Sequence, residues 1–283
     1  MKKNSLEKEY NTVTLSVNIF ERTYKNILKK KFFSDIEESV NFRFDEIHVI
    51  VNNVSDRNFI KKKLDKLKYI KTITEYYFVD DYIDRALESL GLSIKVLGPS
   101  PYCYYSNHLY VAIYLTNTKF LFHYDPDIKI TKKGNFIKDS IIMLNNMNNI
   151  LGAAPMSWKF IPEKESLAED NKFYYYYTFG DPIFFIEQAK FRQDIYQYKS
   201  LAAFARHPCS HIWPIFEERV DAYCRVKNFM FAYYKNSIYS QENEGENPIP
   251  ETLVFMIKRY YKLLILRILI VLRLNNPKYR IYK

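Results

Sequence analysis

Phe120-Leu121-Phe122-His123-Tyr124 runs directly into Asp125-Pro126-Asp127. The first five residues read as a buried strand, and Asp-Pro is a turn opener, so two carboxylates one residue apart stand at the strand's C-terminal end. Upstream, Asn107-His108-Leu109-Tyr110-Val111-Ala112-Ile113-Tyr114-Leu115 reads as the helix feeding that strand, joined to it by the short polar link Thr116-Asn117-Thr118-Lys119. In an α/β layer, the crevice at the carboxyl ends of the strands is where ligands bind.

Working outward, Thr12 to Asn18 alternates polar and apolar as a first strand, followed by a helical stretch from Arg22 to Ser39. A second strand, Glu46 to Val51, ends in the polar loop Asn52-Asn53-Val54-Ser55-Asp56, which opens a basic amphipathic helix from Phe59 to Lys68. A third strand covers Thr72 to Val79, and the helix Tyr82 to Leu90 is stopped by Gly91. This order predicts a largely parallel sheet with helices on both faces. Beyond the Asp pair the pattern predicts a helix over Asn135 to Asn148 and a strand from Ile150 to Trp158. A Tyr-rich strand, a strand over Pro182 to Ile186, a helix from Trp213 to Tyr234 and a polar loop from Ser237 to Pro250 follow. Tyr174 to Tyr177 alternate faces, so two are free to stack on a ligand while two pack inward, core packing being the default.

The 283 residues suffice for one large α/β domain with a small appendage. Forty-two basic against 32 acidic residues give +10, which favours anionic partners such as nucleotides, nucleic acid or an acidic membrane face. No RNA-binding signature accompanies that charge, so nucleic acid is not expected as the partner. Cys103, Cys209 and Cys224 are widely spaced and suggest neither a disulfide framework nor a zinc site, which fits a reducing cytoplasm. The N-terminus lacks the apolar stretch of a secretory signal.

A D-x-D pair on a strand end binds a hard divalent cation, although Asp-Pro is also an ordinary turn. Preceded by three strand-helix units, the pair makes the chain resemble the GT-A glycosyltransferases of the bacterial capsule, lipooligosaccharide or exopolysaccharide type. Val17-Asn18 with Phe20-Glu21-Arg22 is similar to that family's first strand and loop, and Val51 to Asp56 to its second-strand loop. Phe216-Glu217-Glu218-Arg219-Val220-Asp221-Ala222-Tyr223-Cys224-Arg225 resembles the acidic helix that carries the catalytic base in inverting members.

The resemblance implies a GT-A, Rossmann-like α/β fold with a mixed, mostly parallel sheet. The catalytic domain would span 1–240, with a nucleotide-binding half to about 130 and an acceptor half beyond it. It implies a nucleotide-sugar donor, UDP-sugar favoured, and a saccharide or lipid-linked acceptor. Asp127 and Asp125 would hold Mn²⁺ or Mg²⁺, Asp125 also facing the donor, and Glu217 or Glu218 would deprotonate the acceptor. Asn18, Arg22, Asn52 and Asn53 are candidates for the nucleoside, and Ser106 and Asn107 for the donor sugar. Asp181, in Gly180-Asp181-Pro182, and His207 or His211 are candidates for acceptor contacts. Each has a plain alternative: surface cation, loop-forming cap, turn, or first-turn carboxylate at a helix dipole. His123 reads as a core-edge residue. The family's further metal ligand, often histidine, has no counterpart in Ser237-Ile238-Tyr239-Ser240-Gln241, where either Gln241 would supply a neutral oxygen or water would complete the shell.

Residues 251–283 read as a basic amphipathic helix, with Lys258, Arg259, Lys262 and Arg273 on one arc and Leu263 to Leu272 apolar except Arg267. That apolar run is too short to span a bilayer, and it suits either a peripheral contact with the inner face of the cytoplasmic membrane or packing on protein. A sugar-phosphate nucleotidyltransferase would want a Gly-rich loop after the first strand, and Asn18 to Lys25 has no glycine. A non-catalytic polyanion or RNA binder would not need the Asp pair.

Overall fold

Val13, Leu15, Val17 and Ile19 alternate with Thr14, Ser16 and Asn18, and all seven residues are buried, so this strand is covered on both faces. It is β1 (Val13–Ile19) of a computed structural model that describes residues 11–93, 95, 106–157, 166–206, 214–241 and positions 257, 260, 261, 264 and 268. In chain order follow α1 (Tyr24–Ile27), α2 (Lys30–Val40), β2 (Glu46–Val51), α3 (Arg57–Tyr69), β3 (Glu75–Phe78), α4 (Ile83–Ser89) and α5 (Asn107–Leu115). Next come β4 (Phe120–Tyr124), β5 (Ile128–Lys132), α6 (Phe136–Asn146), β6 (Ile150–Ser157), β7 (Ala168–Glu169), β8 (Phe173–Tyr176) and β9 (Ile183–Glu187). The described core closes with α7 (Gln188–Phe191), α8 (Leu201–Arg206), α9 (Phe216–Lys227) and β10 (Met230–Gln241).

The strands lie in the order β3-β2-β1-β4-β9-β6-β10-β8-β7, with β5 beside β10. The first four are mutually parallel. β9 opposes β4 and β6, β10 follows β6, and β5 and β8 oppose β10. With β7 antiparallel to β8, seven of the ten strands point one way, as the expected mostly parallel α/β sheet requires. One face is packed by α2, α3 and α6 through Phe33, Ile36, Leu64 and Phe136. The other is packed by α4, α5 and α9 through Leu87, Val111, Phe216 and Val220.

Several local expectations need correction. The helix over Arg22 to Ser39 is two helices, because Lys29 is extended (φ −130°, ψ 136°), and the break lets Ile27 and Phe33 enter the same core. The helix expected from Trp213 to Tyr234 ends at Lys227, where Asn228 takes the left-handed conformation (φ 63°) and stops it. Met230 to Gln241, expected as helix end and loop, is instead a strand held by β6, β8 and β5. Elsewhere local chemistry explains the ends: Asp56 Oδ1 accepts from Phe59 N at 2.8 Å to cap α3, and Gly91 at φ +67° closes α4.

At positions 257, 260, 261, 264 and 268 the backbone is helical and Ile257, Tyr260, Tyr261, Leu264 and Ile268 are exposed. The rest of the expected C-terminal helix lies outside the described residues, as do His207, His211, Cys103 and Cys209. Among the described residues no helix is long and apolar enough to cross a membrane.

Candidate functional site

The parallel strands β1, β2 and β4 bring their carboxyl ends to one edge of the sheet. At that edge Asn18 and Asn52 are buried, and the side-chain oxygen of each lacks a hydrogen-bond partner. Buried acceptors left unpaired are costly, so this edge is built to receive donors. The two loops are tied together: Asn52 N donates to Ile19 O at 2.8 Å and Glu21 N to Asn53 O at 3.3 Å, while Glu21 Oε2 accepts from Ser55 N at 2.7 Å. Asn53 adopts φ 52° at the bend, and Arg22, which follows Glu21, is exposed.

Above this edge starts α5, whose residues 107–113 are buried, as its apolar sequence requires. Its first turn carries no acidic residue and no side-chain cap, although Ser106 precedes it, and Asn107 Oδ1 is buried and unpartnered. Leu109 N donates to Ser106 O at 3.0 Å, and the positive dipole end of a helix favours an anion. At the far end Arg192 donates to the carbonyls of Tyr114 at 2.6 Å and Thr116 at 2.8 Å, complementing the dipole there.

Asp125-Pro126-Asp127 forms the turn between β4 and β5, with Ile128 N donating to Asp125 O at 3.1 Å and Asp125 N to Pro182 O at 2.9 Å. The two carboxylates have different company. Asp125 Oδ1 lies 3.1 Å from His123 Nε2 and 3.7 Å from His108 Nε2, and the three ligand atoms fall within 4.8 Å of one another. Burial acts to raise the Asp125 carboxyl, but the hydrogen bonds from His108 and His123 prevail and hold it at about 2. Burial also lowers His123, which is fully enclosed and stacked on Phe184 at 5.0 Å. Asp127 is not in that group: its Oδ2 accepts from Gln241 Nε2 at 2.9 Å, which β10 places there by pairing Gln241 with Ile128. Two imidazoles and an ionised carboxylate are a donor set that fits a divalent cation.

Pro182 belongs to Gly180-Asp181-Pro182, so the Asp181 turn abuts the Asp125 turn. On its other side, a Cβ built on Gly180 would stand 3.9 Å from Glu217 Oε1 and 3.7 Å from the Tyr233 hydroxyl. Glu217 and Glu218 share the first turn of α9, but Glu218 is buried and Glu217 is half-buried. The structure thus brings Asp125, Asp127, Asp181 and Glu217 along one rim, with Asn18, Asn52, Ser106 and Asn107 at the strand edge and helix start. Sequence reasoning did not find His108, and it read His123 as core edge. The available signal was spacing, since His123 and Asp125 are two residues apart and therefore on one face of a strand.

No protein-family model matches the sequence, and no curated protein does. Among solved structures the chain is similar to GalNAc-T7 with UDP, GalNAc and Mn²⁺, at 10% identity and TM-score 0.48, over 90% of this chain and 48% of that one. It is similar to S. aureus TarS in complex with UDP-GlcNAc, at 11% identity and TM-score 0.44, over 92% and 66% of the two chains. Mouse xyloside xylosyltransferase 1 is similar at 13% identity and TM-score 0.37, over 65% and 69%. The chain spans about half the length of the GalNAc-T7 chain.

Proposed function

We propose that the chain is a nucleotide-sugar-dependent glycosyltransferase that uses a UDP-sugar donor and a saccharide or lipid-linked acceptor in bacterial surface polysaccharide synthesis. The observation that carries this reading is the convergence, at the carboxyl edge of parallel strands, of unpaired buried acceptors, a helix start without a side-chain cap and an acid-imidazole group. Asn18 and Asn52 offer oxygens to the N–H of a base, with Asn53 and Arg22 on the loops around them. The first turn of α5, with Ser106 and Asn107, receives phosphate or the donor sugar. Mn²⁺ or Mg²⁺ held by Asp125 and Asp127 would neutralise the charge that develops on the departing diphosphate.

Glu217 takes the proton from the acceptor hydroxyl; that oxygen bonds to the anomeric carbon as the bond to the diphosphate breaks and its electron pair leaves with the diphosphate. What favours Glu217 over Glu218 is its exposure and its place across Gly180 from the Asp181 turn, where Asp181 would orient acceptor hydroxyls. His207 and His211 remain candidates for acceptor contact. The apolar side chains exposed at 257, 260, 261, 264 and 268, interspersed in sequence with Lys258, Arg259, Lys262 and Arg267, support a peripheral seat on an anionic membrane face at the cytoplasmic side.

The test is a thermal-shift panel of UDP, GDP, CMP and their sugars, with and without Mn²⁺, on the parent and Asp127→Ala. UDP and a UDP-sugar are expected to stabilise the parent, more so with Mn²⁺. Absence of any nucleotide shift in every metal condition would overturn the reading.

A further inference from the structure

We propose that His108 and His123 are direct ligands, with Asp125, of a two-nitrogen, one-oxygen metal site that selects Mn²⁺, Co²⁺ or Zn²⁺ over Mg²⁺, and that Ser16 positions His123 for this role. The proposal deepens the metal-assisted reading above and rests on it for its use in catalysis, but the site can be tested without turnover.

The geometry is that of a coordination edge. Metal bonds of about 2.0–2.2 Å to nitrogen and oxygen set neighbouring donor atoms about 3.0–3.6 Å apart. Asp125 Oδ1 is 3.1 Å from one imidazole Nε2 and 3.7 Å from the other. Both imidazoles interact with this one oxygen, and the two separations lie close to the spacing of ligands on one ion. The rings sit 5.3 Å apart, His108 presented by the first turn of α5 and His123 by β4, so two rigid elements fix them.

The proton inventory supports the same assignment. With Nε2–H donating to Asp125, His123 leaves Nδ1 as a buried acceptor, and Nδ1 has no partner. Ser16 is paired with His123 in the β1–β4 register, hence beside it on the same face, and Ser16 Oγ is likewise buried without a partner. Shifting the imidazole proton from Nε2 to Nδ1 frees the Nε2 lone pair for a cation. It also turns Nδ1 into a donor on the side of Ser16; the two atoms are not bonded to each other here, and rotation of the Ser16 side chain toward the ring would supply the outer contact that ligating histidines ordinarily make. Mg²⁺ prefers oxygen ligands and keeps its waters, whereas imidazole nitrogen suits later first-row ions.

The experiment uses the full chain, stripped with chelator, in metal titrations without nucleotide. Co²⁺ is followed by its visible spectrum, Mn²⁺ by the loss of its free-ion electron paramagnetic resonance signal, and Mg²⁺ by competition. The parent should give a Co²⁺ ligand-field spectrum and bind Mn²⁺ at least about tenfold more tightly than Mg²⁺. His108→Ala should abolish that preference, and Ser16→Ala should weaken Mn²⁺ about ten- to a hundredfold with an unchanged fold. Paramagnetically shifted imidazole protons from two histidines in the Co²⁺ parent need no variant and read the ligands directly. Equal Mn²⁺ and Mg²⁺ binding, a Co²⁺ complex with no shifted imidazole signals, or no metal bound would overturn the proposal. A nucleotide thermal shift that survives any of these failures keeps the donor site, while two-histidine Co²⁺ binding without a nucleotide shift keeps the metal site alone.

Discussion

His123 Nε2 meets Asp125 Oδ1 at 3.1 Å, across two residues of one chain segment at the end of β4. The alternation of a strand puts both on the face turned to α5, so the same periodicity that buries Phe120 and Phe122 in the opposite core delivers an imidazole and then a carboxylate to the sheet edge. A second buried histidine, His48, lies on the same face two strands away, with Nε2 2.9 Å from Glu46 Oε2.

These two histidines set a pH dependence of stability. Burial lowers His123 despite Asp125, and burial lowers His48 despite Glu46. Both therefore fold as neutral rings. The unfolded chain binds these protons at about 6.5 and the folded chain only at lower pH, so stability is full above about 6.5 and falls as pH drops below it. Melting temperature in chelator-containing buffer should fall between pH 7.5 and 5.5, and His48→Gln should shallow that slope. A flat profile across this window would refute neutral burial of the pair.

Gly152 in β6 is hemmed in on three sides. A Cβ there would meet Phe231 Cε2 at 2.7 Å, Ile186 Cγ2 at 2.8 Å and the Phe185 carbonyl oxygen at 2.8 Å. Rings can tilt, but a strand carbonyl cannot move without breaking its ladder. Gly152→Ala should cost about 1–3 kcal/mol or somewhat more by urea unfolding. A neutral result would mean that β6 and β9 shift apart freely.

Asp221 and Arg225, one turn apart on α9, form a pair 2.5 Å long with both side chains buried. Removing one partner strands a buried charge, so Asp221→Ala should lose about 3–5 kcal/mol, whereas replacing both with apolar residues of similar volume should recover much of it. Denaturant midpoints of the single and double variants decide this. Equal loss in both would point to packing rather than charge.

How much of this was legible in the sequence depends on whether the signal was local. β4, α5 and the Asp125 turn were readable because an apolar run, a helix stripe and Asp-Pro each act over a few residues. So was Glu217 as a first-turn carboxylate, whereas Gln241, expected to offer an oxygen, turns its amide nitrogen to Asp127. β10 was not, since Phe229 to Tyr234 suits helix or strand equally. What decides it is Asn228 in the left-handed region and three strands to pair with, of which β6 and β8 are marked in sequence and β5 is not. His108 carried no local signal at all, because its meaning arises only when α5 folds over β4. The orphaned oxygens of Asn18 and Asn52 are a property of tertiary burial, and sequence offered only their residue type and their position at strand ends.

The two first-turn glutamates of α9 should separate kinetically. Glu217 is half-buried at the rim, facing Gly180, while Glu218 is buried beneath it. If Glu217 is the base, Glu217→Gln keeps its size and hydrogen-bonding reach but cannot take a proton, so kcat should fall about 10²- to 10⁴-fold with donor affinity unchanged. Glu218→Gln should chiefly lower stability, with kcat reduced less than about tenfold. Steady-state rates on the donor identified by thermal shift, alongside melting curves of both variants, make the comparison. A larger kcat loss at Glu218 would move the base to that residue, and parental turnover in both variants would require a reaction in which no α9 carboxylate accepts the acceptor's proton.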